Sequence, residues 1–441
     1  MKKLFFIAAI LIKVNLNIDY VQAQTWSTVG TGVSGGFNPP QVIALCVYNS
    51  SLYAGGTFDS AGVYRVNHIA RWNGSDWLNA RTGVMKSGNV GVMALAVHNF
   101  KLYVGGYFYT ADSILCNYIA SWDGSNWSAV GGGMDDRVLA LVVYNGKLYA
   151  GGMFVNAGGN PASYIAQWNG STWSPVGTGT NGAVNSMAVY NNELYAGGQF
   201  SAAGGVTANR IAKWNGTNWS AVGSGILGGV STMLVYNNEL YVGGGFSLAG
   251  DNPARSIAKW NGSSWSAVGN GVTGTGAMVD ALSVFSGELY AGGVFDTAGT
   301  VAAANIARWN GSTWSNLGIG VNAPVSALGV YNGELYAGGQ FDTAGSVSVN
   351  QIAKWNIATG TEENIVNDGI SVFPNPAIDK ITIILPEKAT IEIIGIEGQI
   401  IKTINTTNLT TIIDLRNLAS GIYILKANSD EVIFIKRFIK Q

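Results

Sequence analysis

Short apolar runs of the form VxALxVYN recur along the chain, each followed by LYxGGxF, IAxWNG and WSxVGxG. These pieces are rich in β-branched and aromatic residues and end in Gly or Asn, which predicts four short strands per copy. Asn145-Gly146 joins a first piece to a second, and Asn73-Gly74, Asn169-Gly170, Asn215-Gly216, Asn261-Gly262 and Asn310-Gly311 join a third to a fourth. Asn-Gly favours the turn whose two central residues both have positive φ, so each joint is expected to be a two-residue hairpin. On that register Ala70 lies opposite Trp77 and Arg71 opposite Asp76, the small Ala leaving room for the indole. The predicted unit is a four-stranded antiparallel meander.

Seven such units follow one another. The Tyr of the LYxGG tag stands at 53, 103, 149, 195, 241, 290 and 336, a spacing of 46 to 50 residues that signals a propeller or solenoid array. Twelve Trp fall in pairs from Trp72/Trp77 to Trp309/Trp314, and Trp355 stands alone because Asn356 is followed by Ile357 and the turn is lost. The fourteenth is Trp26, in TWSTVGTGV, which has the content of a fourth strand. Thr25-Trp26-Ser27 is therefore expected to lie beside Ala353 and close a ring, with most Trp packing one sheet against the next. The expected fold is all-β, a seven-bladed propeller of four-stranded blades.

Spacing separates fixed joints from free ones. The step from the first-strand Val to the tag Tyr is 11 in each copy, and that from Tyr to the first Trp is 19. Only the step from the second Trp to the next first-strand Val varies: 16 from Trp26, 15 from Trp77, 14 from Trp265 and 11 elsewhere. In an up-and-down blade the connections after the second and fourth strands leave on one face, so all length variation maps to one rim, where binding residues concentrate. The nonrepeated residues there are candidate ligand contacts: Phe37 and Asn38, Met85 and Lys86, and Met278, with Asp280 at the channel where siblings carry Ile43, Met93, Leu139, Asn185, Ser231 and Ser326.

NGKLYAGG followed by IAQWNGSTWSPVG resembles a kelch-type repeat, and more closely the LYVGGxF propellers of fungal cell-surface cortical-marker proteins. The resemblance covers residues 25 to about 356 and implies the propeller fold; relatives of this kind range from enzymes to scaffolds, so it does not assign an activity.

After residue 358 the composition changes: Trp disappears, Gly becomes rare, and Ile fills alternating runs such as KITIIL. A linker over 359–369 and a small β-sandwich over 370–441 are expected. This segment resembles the C-terminal sorting domain of type IX secretion cargo in Bacteroidota. The matching residues are Pro374-Asn375-Pro376 after Phe373, the Glu397-Gly398-Gln399 turn, Leu418 to Tyr423 with Gly421 and Tyr423, and Lys436-Arg437. The resemblance implies export, with the type IX machinery as partner, and a mature protein released or attached to the surface.

Residues 1–23 read as a signal peptide, with Lys2 and Lys3 before an apolar run too short to span a bilayer and small residues before Gln24. The propeller is then expected over 24–358, with no transmembrane segment in the mature chain. A net charge of -1 with 11% charged residues excludes a nucleic-acid partner, which needs clustered Lys and Arg. His68 and His98 are the only histidines, and each occupies a slot filled by other residues in sibling copies, so neither a metal site nor a cofactor is expected. Cys46 and Cys116 have no metal-like spacing, and the sequence leaves their pairing open.

Asp135 and Asp280 are the carboxylates through which a hydrolase would act. The sequences Asp59-Ser60, Asp112-Ser113, Asp296-Thr297 and Asp342-Thr343, each followed by an aliphatic residue, resemble O-glycosylation acceptors of Bacteroidota at Ser60, Ser113, Thr297 and Thr343. They also fit Asx-type turns in which the Asp caps its own loop, the reading slightly favoured. The expected function is an exported, noncatalytic propeller that binds a glycan or protein on its variable rim. A secreted polysaccharide-active enzyme is the alternative.

Overall fold

The computed structural model describes residues 24–36, 39–85, 91–357, 370–395, 400–429 and 433–440, and every regular element among them is a β-strand. The expected signal peptide and linker, together with Phe37, Asn38, Lys86 and Gly398, lie outside the described residues. Gln24–Ile357 form one compact unit and the following segment belongs to a second.

Blade 1 gives the plan of the first unit. Val42–Tyr48, Ser51–Gly56, Ile69–Trp72 and Trp77–Asn79 pair in that order, each antiparallel to the next. Blades 2 to 6 repeat it, with first strands Gly91–His98, Val138–Tyr144, Val184–Tyr190, Ile226–Tyr236 and Met278–Phe285. Blade 7 is composite: Val325–Tyr331, Glu334–Gly339 and Ile352–Ile357 are joined by Gln24–Thr28 from the other end of the unit. The first strands pack side by side around an axis, and that of blade 7 returns to that of blade 1.

Turn chemistry separates the two hairpins. The first is a two-residue turn with both φ positive in every blade, as at Asn145-Gly146 (46°, 69°) and Asn49-Ser50 (45°, 54°). The second departs from expectation. Trp72 pairs with Trp77 and Ala70 with Asn79, so the loop holds Asn73 to Asp76. Asn73 Oδ1 accepts the N–H groups of Ser75 (2.9 Å) and Asp76 (2.7 Å), and Gly74 takes φ +106°. The Asn side chain organises the turn, so Asn-Gly opens the loop instead of forming its centre. Seven Trp pairs therefore face each other directly, with ring centroids 5.0–5.5 Å apart and planes tilted by 42–59°. In the closing blade Trp26 accordingly lies opposite Trp355, and Thr28, not Trp26, opposite Ala353.

Three contacts build the seams between blades. The first Gly of each tag has no room for a side chain: a Cβ on Gly105 would overlap Val138, and one on Gly338 would overlap Val42 across the closure. The second Trp of each blade donates its indole N–H to a backbone carbonyl just beyond the previous blade's fourth strand, at 2.8–3.1 Å. Trp26 completes the set by donating to Leu317. The Tyr ending the first strand donates to a carbonyl in the next blade's first turn, as from Tyr48 to Phe100 (2.8 Å) and from Tyr331 to Ser50 (2.9 Å). These buried polar groups are thus satisfied while the aromatic bodies fill the seam.

In the second unit, Ser371–Phe373, Lys380–Ile384 and Thr410–Asp414 form one sheet. Ile400–Asn405, Thr390–Gly395, Gly421–Asn428 and Ile433–Lys440 form another. Ile381, Ile383 and Ile413 of the first share a core with Ile391, Ile393, Leu425 and Phe438 of the second. The alternating Ile runs become buried and exposed positions of half-buried strands.

Candidate functional site

The connections after the second and fourth strands form a girdle of small ribbons on one face of the ring. Where the fourth-to-first connection is long, it adds a strand to the next ribbon: Val33–Ser34 pairs with Ser60–Ala61, Val84–Met85 with Thr110–Ala111, and Val272–Thr273 with Thr297–Ala298. Three of the shorter connections make single bridges, Met134 to Ala157, Thr180 to Ala203 and Val321 to Ala344. The described residues of the face that sequence spacing marks as variable are therefore tied together by backbone pairing.

Within this girdle the first strands surround an axial cavity of about 230 Å³. At one position of the first strand Ile43, Met93 and Leu139 line it on blades 1 to 3 and Asn185, Asp280 and Ser326 on blades 4, 6 and 7, where Met187, Leu282 and Leu328 also line it. Burial pushes the Asp280 carboxyl above the usual carboxylate range, partly offset by a Ser231 side-chain hydrogen bond. At the mouth, Gln41 Nε2 donates to Ser326 Oγ (2.5 Å) and Gln340 Nε2 to Gln41 Oε1 (3.3 Å). Of the residues that immediately precede the first-strand Val or follow the tag Gly pair, Arg137 alone is charged.

Blade 2 carries a cluster outside the connections of variable length. Tyr107 stacks on Tyr118 (6.0 Å, 23°), and Tyr109 meets Tyr118 edge-on (5.4 Å, 86°) with their hydroxyls 3.4 Å apart. The Arg137 guanidinium lies 4.7 Å from the Tyr107 ring centroid and 3.6 Å from Asp136. Tyr118 is 7% exposed and Tyr109 39%, so a buried ring packs against a partly exposed one. Burial and the Tyr109 hydrogen bond push the Tyr118 hydroxyl upward, keeping it protonated. The signal was present in the repeat alignment: siblings of Tyr107 are Thr57, Met153, Gln199, Gly245, Val294 and Gln340, and those of Tyr109 include Asp59 and Ser201.

Among the earlier candidates, Met85 lies beside this cluster, its carbonyl accepting the Tyr109 N–H at 3.0 Å. Met278 and Asp280 share the first strand of blade 6, with Met278 over Gly245 at the mouth. Asp135 has a different place. Its Oδ1 accepts the N–H groups of Val155 (2.9 Å) and Asn156 (3.0 Å), the same loop cap that Asn181 and Asn322 form in blades 4 and 7. Burial raises its carboxyl, but these donors more than offset that and leave it below the usual range.

Of the four hydroxyl candidates, Ser60 bonds Asp59 (2.8 Å), Thr343 bonds Asp342 (3.0 Å), Thr297 bonds Thr273, and Ser113 is exposed at a ribbon tip. His98 is packed 6.0 Å from Tyr103, and burial lowers its imidazole below the usual value. Cys46 and Cys116 are free thiols that burial pushes up to about 11, which keeps them protonated. Among the described residues, no group of three His, Cys, Asp or Glu is placed to hold a metal, and no helix is long and apolar enough to cross a membrane.

In the second unit the described sorting residues lie on or against the last strand. Asn375 Oδ1 accepts the Ile439 N–H (2.9 Å), next to Pro374 and Pro376, and the Ala377 N–H donates to the Ile439 carbonyl (2.8 Å). Gly421 pairs with Lys440, and Tyr423 stacks on Phe438 (5.6 Å) while its hydroxyl donates to Ala419 (2.8 Å). Lys436 is exposed.

Comparison with known proteins agrees with this division. Residues 169–330 match the Rax2 C-terminal beta propeller domain, and residues 371–441 match the secretion system C-terminal sorting domain. No curated protein matches the chain. Among solved structures it is similar to PorZ, an essential bacterial surface component of the type IX secretion system of Porphyromonas gingivalis, at 14% identity and TM-score 0.38 over 90% of this chain and 70% of that one. It is also similar to the extracellular domain of a putative one-component system from B. thetaiotaomicron, at 10% identity and TM-score 0.36 over 92% and 70%. The chain thus carries a Rax2-type propeller match and a type IX sorting tail, and the tail implies export to the cell surface or beyond.

Proposed function

We propose that the protein is an exported binding module whose propeller presents its variable face to an extracellular ligand. The observation that carries this reading is the distribution of differences: the seams repeat around the ring, while the blade-specific Tyr107, Tyr109, Arg137 and Asp280 gather at the ribbon girdle and axial mouth. A cleaved signal peptide ending near Gln24 would leave the closing strand Gln24–Thr28 whole. Kelch kinship rests on the sequence motifs alone. The hydrolase alternative draws its support from Asp280, whose carboxyl faces the axial cavity; Asp135 is occupied as a loop cap.

The test uses the mature chain on a panel of immobilised glycans and of collagen, fibronectin and fibrinogen. Met153→Lys and Leu227→Lys, both at exposed side chains on the variable side, should abolish retention; Phe100→Lys in the opposite hairpin turns should leave it unchanged. The reverse pattern would overturn the reading. Release of new reducing ends from a panel glycan, abolished by Asp280→Asn, would favour the hydrolase. Removal of residues 371–441 should hold the chain inside the outer membrane.

A further inference from the structure

We infer that the propeller holds a second binding site, on the outer edge of its closing seam, and that this site takes an organic amine, an apolar body carrying an ammonium group. The inference goes beyond the variable-face reading and does not depend on it. A hollow of about 380 Å³ lies against blade 1, larger than the axial cavity and within the ~300–1,000 Å³ of pockets that hold small molecules. Three segments wall it. Gly30 and Thr31 follow the closing strand, Gly62 to Tyr64 turn the blade 1 ribbon, and Ser75 to Leu78 run from the second hairpin into the fourth strand. The buried indoles of Trp72 and Trp77 form the floor. They pack so closely on the glycines that a Cβ on Gly30 would meet Trp72 at 3.0 Å and one on Gly62 would meet Trp77 at 3.1 Å.

The sibling blades show that a blade does not need these walls. Leu78 stands where the other six blades have Ser, Tyr64 where none has an aromatic residue, Asp76 where none has an acid, and Val63 where none has an aliphatic one. Those blades form the same Trp pair and indole bond without them. Val63 is 91% exposed and Tyr64 43%, so both add apolar surface to the rim and little to the core. Four blade-specific side chains gathered at one hollow, with no part in closing the blade, point to a ligand.

Their chemistry sets its class. Among the described residues that line the hollow, Asp76 alone carries a charge. Its Oδ2 accepts the Ser75 hydroxyl at 2.7 Å, and no described residue donates to its Oδ1. A carboxylate only accepts, binds an ammonium more strongly than a neutral donor, and repels an anion. Aromatic rings attract the same cation through their electron-rich faces, and the side chains of Val63, Tyr64 and Leu78 favour an apolar body beside it. Arg65 is turned away. It pairs across the ribbon with Ser60, whereas Tyr64 pairs with buried Ala61, so the two neighbours leave the ribbon on opposite faces.

Titration calorimetry of the mature chain tests the inference with two series that share a body and differ in head group: phenethylamine, 2-phenylethanol and 3-phenylpropionate, and hexylamine, hexanol and hexanoate. At least one amine should bind, about threefold or more tighter than its alcohol, with the matching carboxylate weakest. Asp76→Asn, which installs the residue of Asn126 and Asn218, should bring amine and alcohol within about twofold of each other. Tyr64→Val/Leu78→Ser installs the residues of Val206 and Ser220, which a blade of this fold already carries, and should weaken the amine by about tenfold or more. Saturating amine should raise the thermal midpoint of the parent and not that of the double variant.

Binding of neither amine, equal binding of an amine and its alcohol, or tighter binding of the carboxylate would overturn the inference. So would amine binding that survives both variants unchanged. Amine binding abolished by Asp280→Asn and kept by Asp76→Asn would also overturn it, by placing the cation in the axial cavity.

Discussion

The seams and the mouth of the propeller are built on the same seven backbones and obey opposite rules. At each seam a tag Gly lies against the next blade's Val, and the second Trp donates to the previous blade. At the mouth, equivalent positions hold Gln41, Arg137, Met278 and Pro324. Repetition marks what the ring needs in order to close, because a fault in one seam strains every other. Variation marks what the ring does not need, and there other constraints can shape the side chains.

The contrast can be broken first at the closure. Trp26 sits on a terminal strand, yet it has the same indole bond and Trp partner as its interior counterparts. Trp26→Ala is expected to lower stability by about 3–5 kcal/mol in denaturant unfolding, as much as Trp173→Ala. A much smaller loss would mean that the closing strand frays and the seams are not equivalent. Gly338→Ala should cost about 1–3 kcal/mol by forcing a Cβ against Val42, measured in the same way.

The seam rule also predicts a gain. Phe285 lacks the hydroxyl that Tyr236 and Tyr331 place on the next blade's turn. Phe285→Tyr should add about 1 kcal/mol by donating to Gly333, read as a raised thermal midpoint.

The smallest effect belongs to the mouth. Because folding raises the Asp280 carboxyl, the folded state prefers its proton. That preference stabilises fully below the ordinary carboxyl value and is lost as pH rises through the higher folded-state value. Asp280→Asn should therefore equal or slightly exceed the parent in stability at neutral pH, and the gap should close in acid. A destabilised variant at neutral pH would show that the charge is a structural partner.

Much of this was legible in the chain. Tag spacing marked the blades, and the orphaned Trp355 with the displaced Trp26 marked the closure. The second hairpin misled because Asn-Gly has two uses: both positive-φ residues as at Asn145-Gly146, or a side-chain cap as at Asn73, where the rest of the turn decides. That changed the Trp partner from Ala to Trp. Tyr107 and Tyr109 carry no signal in loop length, because Tyr107 ends the second strand of blade 2 and Tyr109 lies in the connection after it, whose length is constant. Asp135 looked like chemistry until its siblings Asn181 and Asn322 were seen to cap the same loop without a charge.

The composite seventh blade carries a consequence for how the ring is made. Its outer strand is the first piece of the unit to leave the ribosome, and its partner at Ile352–Ile357 is the last. Six sheets can assemble from neighbouring segments as they emerge, but the seventh requires a contact across nearly the whole unit, the kind that chain entropy makes slow. Until then Gln24–Thr28 has no sheet to join, and a chain halted before residue 352 would hold an unfinished circle with a bare edge at each side of the gap.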